Sequence, residues 1–200
     1  KRIHWEKNYL QEFVNTDFLP KTVVTNNYQR IKDFVYNLNK PTVIKPIDAN
    51  GGKGILKLEP LINYKELENI VNRYTNNGVK DVVVQQYIEN VETLGDKRIT
   101  VFLYEPIKEG VKVRLPAEGS FLCNYSSGGS IHPSEYTERD QEIIDGITSF
   151  LKREKITWAG VDIIGPYLGE INVSSPGALE HGQPGPAIEN IVDRLLNYKI

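Results

Sequence analysis

The 200-residue chain has no methionine, one cysteine and three histidines, and each scarcity closes off a class of explanation. With Met absent throughout, Lys1 is not expected to begin the natural chain, and a segment upstream is expected to have been removed. The lone Cys123 has no partner for an internal disulfide, and no Cys/His cluster has zinc-site spacing. A formal net charge of −2 offers no basic footprint for nucleic acid and no polybasic anchor for a membrane. No stretch approaches the ~20 apolar residues of a spanning helix, and none near the start resembles a signal peptide. These readings predict a cytoplasmic protein whose partners must be argued from its sites.

What is present is ordinary for a globular chain: 40% hydrophobic and 25% charged residues. The length suffices for one or two compact domains. The organising stretch is Trp158 to Pro176, WAGVDIIGPYLGEINVSSP, where two apolar runs flank Gly165-Pro166 and read as paired strands. Glu170 and Asn172, two apart, share one strand face. If the turn is the odd-length Gly165-Pro166-Tyr167, Asp162 stands opposite Glu170 and three oxygen-bearing groups converge. Two carboxylates and an amide suit a hard cation such as Mg²⁺, with substrate phosphates completing its shell. The competing reading is a solvated acidic hairpin; apolar neighbours on both strands favour burial, and buried carboxylates are rare unless paired or metal-bound.

Upstream, Lys45 is the single charge of the apolar strand Thr42 to Pro46 and needs an anionic partner if buried. Asp48 to Gly54 follows, a glycine-rich turn whose backbone can approach phosphate oxygens. It has neither Walker A nor dinucleotide-fingerprint spacing. Gly95-Asp96-Lys97-Arg98 opens a further strand, and Arg98 offers a fork to phosphate. Helices are predicted over 2–14, 27–38, 63–77, 137–153 and 188–198, with Asn27 and Thr137 as caps and Gly78 as a terminator. Residues 117–134, rich in Gly and Ser, read as a lid loop.

Together D-I-I-G-x-x-L-x-E-I-N-V-x-S-P, Thr42-Val43-Ile44-Lys45-Pro46 with Asn50-Gly51-Gly52-Lys53-Gly54, Gly95-Asp96-Lys97-Arg98 and Asn124-Tyr125-Ser126-Ser127-Gly128-Gly129 resemble the ATP-grasp ligases, specifically the bacterial glutathione synthetase family. The resemblance covers nearly the whole chain in the family's order. It implies an α+β ATP-grasp fold, two lobes gripping ATP between antiparallel sheets, with 20–88 as the small lobe and 1–19 plus 89–200 as the large one. The three-domain synthetases have a further N-terminal domain, which these 200 residues are expected not to include.

The resemblance also implies roles. Asp162, Glu170 and Asn172 become ligands of Mg²⁺, with Mn²⁺ as the alternative. Lys7, Lys45 and Arg98 face the nucleotide phosphates, Lys45 and Arg98 as the catalytic pair with Asp96 orienting Arg98. Gly51, Gly52 and Lys53 form a flap over the phosphates, and Asn124 belongs to the lid. Gln85 or Gln86 reads the adenine amine, while Tyr87 and Ile88 offer backbone groups. The implied reaction joins γ-glutamylcysteine and glycine through an acyl phosphate, with small-molecule substrates and with a separate N-terminal domain and a homo-oligomer as candidate partners. Glutathione synthetases carry arginines where this chain has Leu122 and Ser130. That departure leaves open a ligase of the same fold with other substrates, or a nucleotide-binding module that needs a partner domain for turnover.

Overall fold

A computed structural model describes residues 10, 16–48, 51–124, 127–174, 176 and 185–198. Its first sheet contains β1 (Thr22–Thr25), β2 (Thr42–Pro46), β3 (Leu56–Leu58) and β4 (Val82–Gln86), all antiparallel, in the order β1-β4-β2-β3. Helices α1 (Tyr28–Leu38) and α2 (Tyr64–Thr75) cover one face. Asn27 and Asn63 start them, each side chain accepting from the backbone N–H three residues on, Arg30 at 3.0 Å and Glu66 at 2.9 Å. α2 ends at Asn76, whose side chain tolerates φ +50, two residues before the predicted terminator Gly78, which also has positive φ, +83.

Strand alternation then sorts this sheet. Ile44, Val82 and Val84 join Ile31, Val35, Leu67 and Val71 in a core under the helices. The same period of two turns Val43, Lys45 and Gln85 to the other face.

The second sheet orders β5 (Asp96–Phe102), β7 (Lys112–Leu115), β8 (Ser130–Pro133), β9 (Trp158–Ile164) and β10 (Tyr167–Asn172) as β10-β9-β5-β7-β8, with β6 (Glu105–Pro106) paired to β5. Its core places Ile99, Val101, Ala159, Val161 and Ile163 against Ile143, Ile144, Ile147 and Leu151. Those last four come from α4 (Glu138–Arg153), begun by a capping box between Thr137 and Asp140. The short α3 (Asn90–Leu94), which has no periodic signature, leads from β4 into β5. The closing α5 (Pro186–Asn197) buries Ala187 and Ile191 against Phe102 and Ile107. Leu10, the one described residue of the helix predicted over 2–14, is 5% exposed in the second core; the rest of that segment, Lys7 included, lies outside the described residues.

Two expectations change. Residues 130–133 are not lid loop but strand β8, paired with β7, because Ser130 to Pro133 completes that sheet's edge; the loop proper is 116–129. The hairpin turn is the two-residue Gly165-Pro166, not an odd one, since Tyr167 pairs with Ile164 and Gly165 supplies φ +56. Asp162 still stands opposite Glu170, because a bulge between Leu168 and Glu170 absorbs Gly169. In an unbroken strand Leu168 and Glu170, two apart, would share a face. With it, Leu168 and Ile171 enter the core while Glu170 and Asn172 face away.

Among the described residues no helix is long and apolar enough to cross a membrane.

Candidate active site

Two adjoining cavities are lined by residues of both sheets. The smaller, about 120 Å³, is mainly apolar, with Val43, Ile55, Tyr87, Val91, Phe121 and Ile164 among its walls. The larger, about 360 Å³, is lined by charges: Lys45, Asp96, Arg98, Arg114, Asp162 and Glu170. Lys45, Gln85, Asp96 and Asn124 line both. A wider groove of about 780 Å³ between β3 and α2 shares none of these residues.

The charged chamber is built row by row across β5, β9 and β10. Register aligns Arg98, Asp162 and Glu170, one per strand. Arg98 donates through Nε and Nη2 to the two oxygens of Asp162, the latter at 3.0 Å. Its remaining Nη1 donates to the Pro176 carbonyl at 3.0 Å. Gly160 makes that reach possible, because a Cβ there would collide with the Pro176 carbonyl and crowd the Arg98 guanidinium at 2.8 Å. Asn172 donates to Asp162 Oδ2 at 3.0 Å. Asp162 is therefore buried, 6% exposed, under guanidinium and amide donors.

Asp96 does not orient Arg98 as expected. It faces Arg114 across β5 and β7 and accepts from that residue's Nε. Arg114 Nη2 reaches on to Asp162 at 2.9 Å, so Arg114 joins both aspartates. This residue was visible in the sequence only as a charge on a short strand; its role depends on a cross-strand register that local sequence does not encode. Lys97, the middle charge of the Asp96-Lys97-Arg98 run, points to the opposite face and pairs at 2.6 Å with Asp140 in the α4 capping box.

Burial would raise the Asp162 carboxyl, but Arg98 and then Arg114 override it and hold the group below the usual aspartate range. Burial and the nearby Asp162 charge push Asp96 up to about 6, against the pull of Arg114.

On the first sheet, Lys45 Nζ donates to Gln85 Oε1 at 2.9 Å, and Gln85 Nε2 donates to Thr22 Oγ1 at 2.8 Å. Gln86 lines only the apolar cavity. The Tyr87 N–H is spent on the Pro41 carbonyl at 2.9 Å, and the Ile88 carbonyl accepts from Val91 at 3.0 Å. The Tyr87 side chain is fixed on three sides: its hydroxyl donates to Glu92, Lys57 Nζ lies 4.1 Å from the ring centre, and Phe121 meets the ring edge-on at 5.7 Å. Gly51 and Gly52 line the charged chamber, whereas Lys53 is exposed and lines neither cavity. Gly52, at φ +76, lies so close to Asn124 that a Cβ would stand 2.5 Å from its Oδ1; the glycine turn and the 116–129 loop meet there. Cys123 is buried in the wall of the apolar cavity beside Tyr87 and Val91.

Among the described residues no three His, Cys, Asp or Glu side chains cluster as a metal site by themselves. The donor set at hand is the facing pair Asp162 and Glu170 with the Asn172 amide beside them, all lining one chamber. An all-oxygen set with few carboxylates fits Mg²⁺ or Mn²⁺ holding phosphate oxygens and water.

Two antiparallel α+β units facing an apolar slot joined to a charged chamber define the ATP-grasp fold. D-cycloserine synthetase superposes with TM-score 0.67 at 17% identity, over 88% of this chain and 64% of that one. D-alanine–D-alanine ligase from Bacillus anthracis, complexed with ATP, gives 0.62 at 16% identity, over 96% and 61%. Within that class, the chain belongs to the family described as prokaryotic glutathione synthetase, ATP-grasp domain, which matches residues 6–183. Glutathione synthetase from Gloeobacter violaceus is 38% identical over 196 residues, 96% of this chain and 58% of that protein. The protein of the same name from Thermosynechococcus vestitus is 37% identical over 171 residues, 86% of this chain and 51% of its own. The chain thus spans little more than half the length of these curated relatives.

Proposed function

We propose that this chain is the ATP-binding, catalytic part of a carboxylate–amine ligase that joins γ-glutamylcysteine to glycine through an acyl phosphate. The observation that carries this reading is the single chamber where Lys45, Arg98, Arg114, Asp162, Glu170 and Asn172 meet beside an apolar slot. In this reading the lobes divide at about residues 88 and 89, and the slot takes the adenine. Gln85 or Gln86 reads its edge, while the Tyr87 carbonyl and the Ile88 N–H offer backbone groups, since the Tyr87 N–H and the Ile88 carbonyl are paired with Pro41 and Val91.

Asp162, Glu170 and Asn172 would hold the divalent cation, which when bound neutralises and orients phosphate oxygens. Lys45 and Arg98 oppose the charge that develops as the terminal phosphoryl passes to the substrate carboxylate. Gly51 and Gly52, against Asn124, cover the phosphates and exclude water from the acyl phosphate, which the amine then attacks. No protein nucleophile is required, since such transfer is achieved by positioning and electrostatics. Lys7 would add a further phosphate contact. The reading places the protein in the cytoplasm, with small molecules as substrates.

The test is phosphate release from ATP with γ-glutamylcysteine and glycine, run on this chain beside one extended to the relatives' length. Release that requires both acids supports the assignment; release driven by other acid–amine pairs shifts it to the second reading, a ligase of the same fold with different substrates. Leu122 and Ser130 favour that second reading, standing where glutathione synthetases carry arginine. Leu122 packs beside Gly52, and the Ser130 hydroxyl is hydrogen-bonded to His132 at 2.9 Å.

A further inference from the structure

Asp96, Asp162, Arg98 and Arg114 form a closed set of two positive and two negative groups, with side chains between 8% and 15% exposed. Each arginine is matched by a carboxylate, and Asp162 is shared by both. Lys45 and Glu170 line the same chamber and add one charge of each sign. A divalent cation arriving alone at Asp162 would draw that carboxylate from two guanidiniums and leave them facing a third positive centre. A polyphosphate arriving alone would meet arginines already neutralised. Either event leaves a buried charge uncompensated, which is strongly unfavourable.

We propose that this quartet makes the cation and the polyphosphate enter together, with Asp96 and Arg114 as the positioning residues that enforce it. When Asp162 turns to the cation, Asp96 keeps Arg114 compensated, while the phosphate takes the place of Asp162 at Arg98. The Pro176 carbonyl holds Arg98 in place throughout. The proposal rests on the reading that a phosphorylated nucleotide occupies the chamber. It assigns the joint entry to protein charges rather than to complex formation in solution alone.

The probes are Mg²⁺ and inorganic tripolyphosphate, separately and combined, read by heat unfolding and by direct calorimetric titration. In the wild type neither probe alone is expected to shift the midpoint, and the two together are. Arg114→Gln leaves one arginine against two aspartates, so Mg²⁺ alone should now bind, by about tenfold or more over wild type, a size typical of coupled sites. Asp96→Asn leaves two arginines against one aspartate, so tripolyphosphate alone should gain by about the same factor. These are gains for probes of opposite charge, which a damaged fold does not produce. Variants that bind each probe no better than wild type overturn the proposal. A wild type that binds Mg-ATP, yet takes Mg²⁺ equally well without phosphate, overturns it and leaves the nucleotide reading standing. A wild type that responds to no probe and not to Mg-ATP overturns both.

Discussion

Glu170 and Asp162 stand side by side across two strands, yet they are differently placed for chemistry. Asp162 is enclosed by two guanidiniums and an amide, whereas Glu170 lies on the outer strand of the pair and lines the open chamber. If Glu170 holds a cation, Glu170→Gln keeps its size and removes the charge that the cation needs. We expect Mg-ATP affinity to weaken and turnover to fall by orders of magnitude, with stability changing by no more than ~0.5 kcal/mol, as for a surface substitution. Overlapping Mg²⁺ titrations for wild type and variant would return the hairpin to a purely structural role.

Asp96 makes a second claim at this scale. Its carboxyl is pushed up to about 6 from the ordinary 3.8, so the folded chain holds that proton where the unfolded chain has lost it. A raised pKa contributes stability that is present below the unfolded value and fades as pH rises through the folded one. Asp96→Asn mimics the protonated form at every pH. Its stability deficit against wild type should therefore shrink between pH 4.5 and 7, measured by urea unfolding. A deficit that grows over that window would mean that Arg114 outweighs burial at Asp96.

At the scale of elements, two glycines in adjoining strands have opposite tolerances, and the site depends on only the first. Gly160 on β9 faces the returning chain, and an added Cβ would strike the Pro176 carbonyl and press on Arg98. Gly169 on β10 would place its Cβ no nearer than 3.4 Å to anything, with an ordinary negative φ. Gly160→Ala should cost about 1–3 kcal/mol, as overpacked sites do, and should also weaken Mg-ATP binding by dislodging Arg98. Gly169→Ala should do neither. Chemical denaturation and nucleotide titration of the two variants measure the contrast, and equal behaviour would show that Pro176 yields freely.

For the whole molecule, the arrangement of two cores with a cleft between them matters most. One core lies between α1, α2 and the first sheet; the other lies between α4 and the second. Lys45 and Gln85 come from the first sheet, Arg98 and Asp162 from the second, so a ligand in the chamber touches both. A ligand bound only by the native arrangement adds stability by mass action, about 2.7 kcal/mol at a hundredfold excess over its Kd. Millimolar Mg-ATP should accordingly raise the unfolding midpoint without any other substrate. An unchanged midpoint would remove the nucleotide from this cleft.

Much of this was legible without coordinates, because the strongest signals are local. Asn27 and Thr137 favour the start of a helix, since their side chains satisfy orphan N–H groups three residues on. The alternation in Thr42 to Pro46 and the isolation of Lys45 follow from the period of a strand alone. The Gly169 bulge left a trace as well, an apolar spacing of three from Leu168 to Ile171 where an unbroken strand would show two. What local sequence could not decide was partnership. Asp96 joins Arg114 rather than Arg98, and Arg114 reaches Asp162, because β5 lies between β7 and β9 in the sheet. Lys97 leaves the cleft for Asp140 because α4 packs on the opposite face. Gly160 is needed only because Pro176, sixteen residues later, returns over it. Hydrogen bonds and propensities act over a few residues and are written in order along the chain; charge pairing across strands depends on register and layer, which exist only once the sheets have formed.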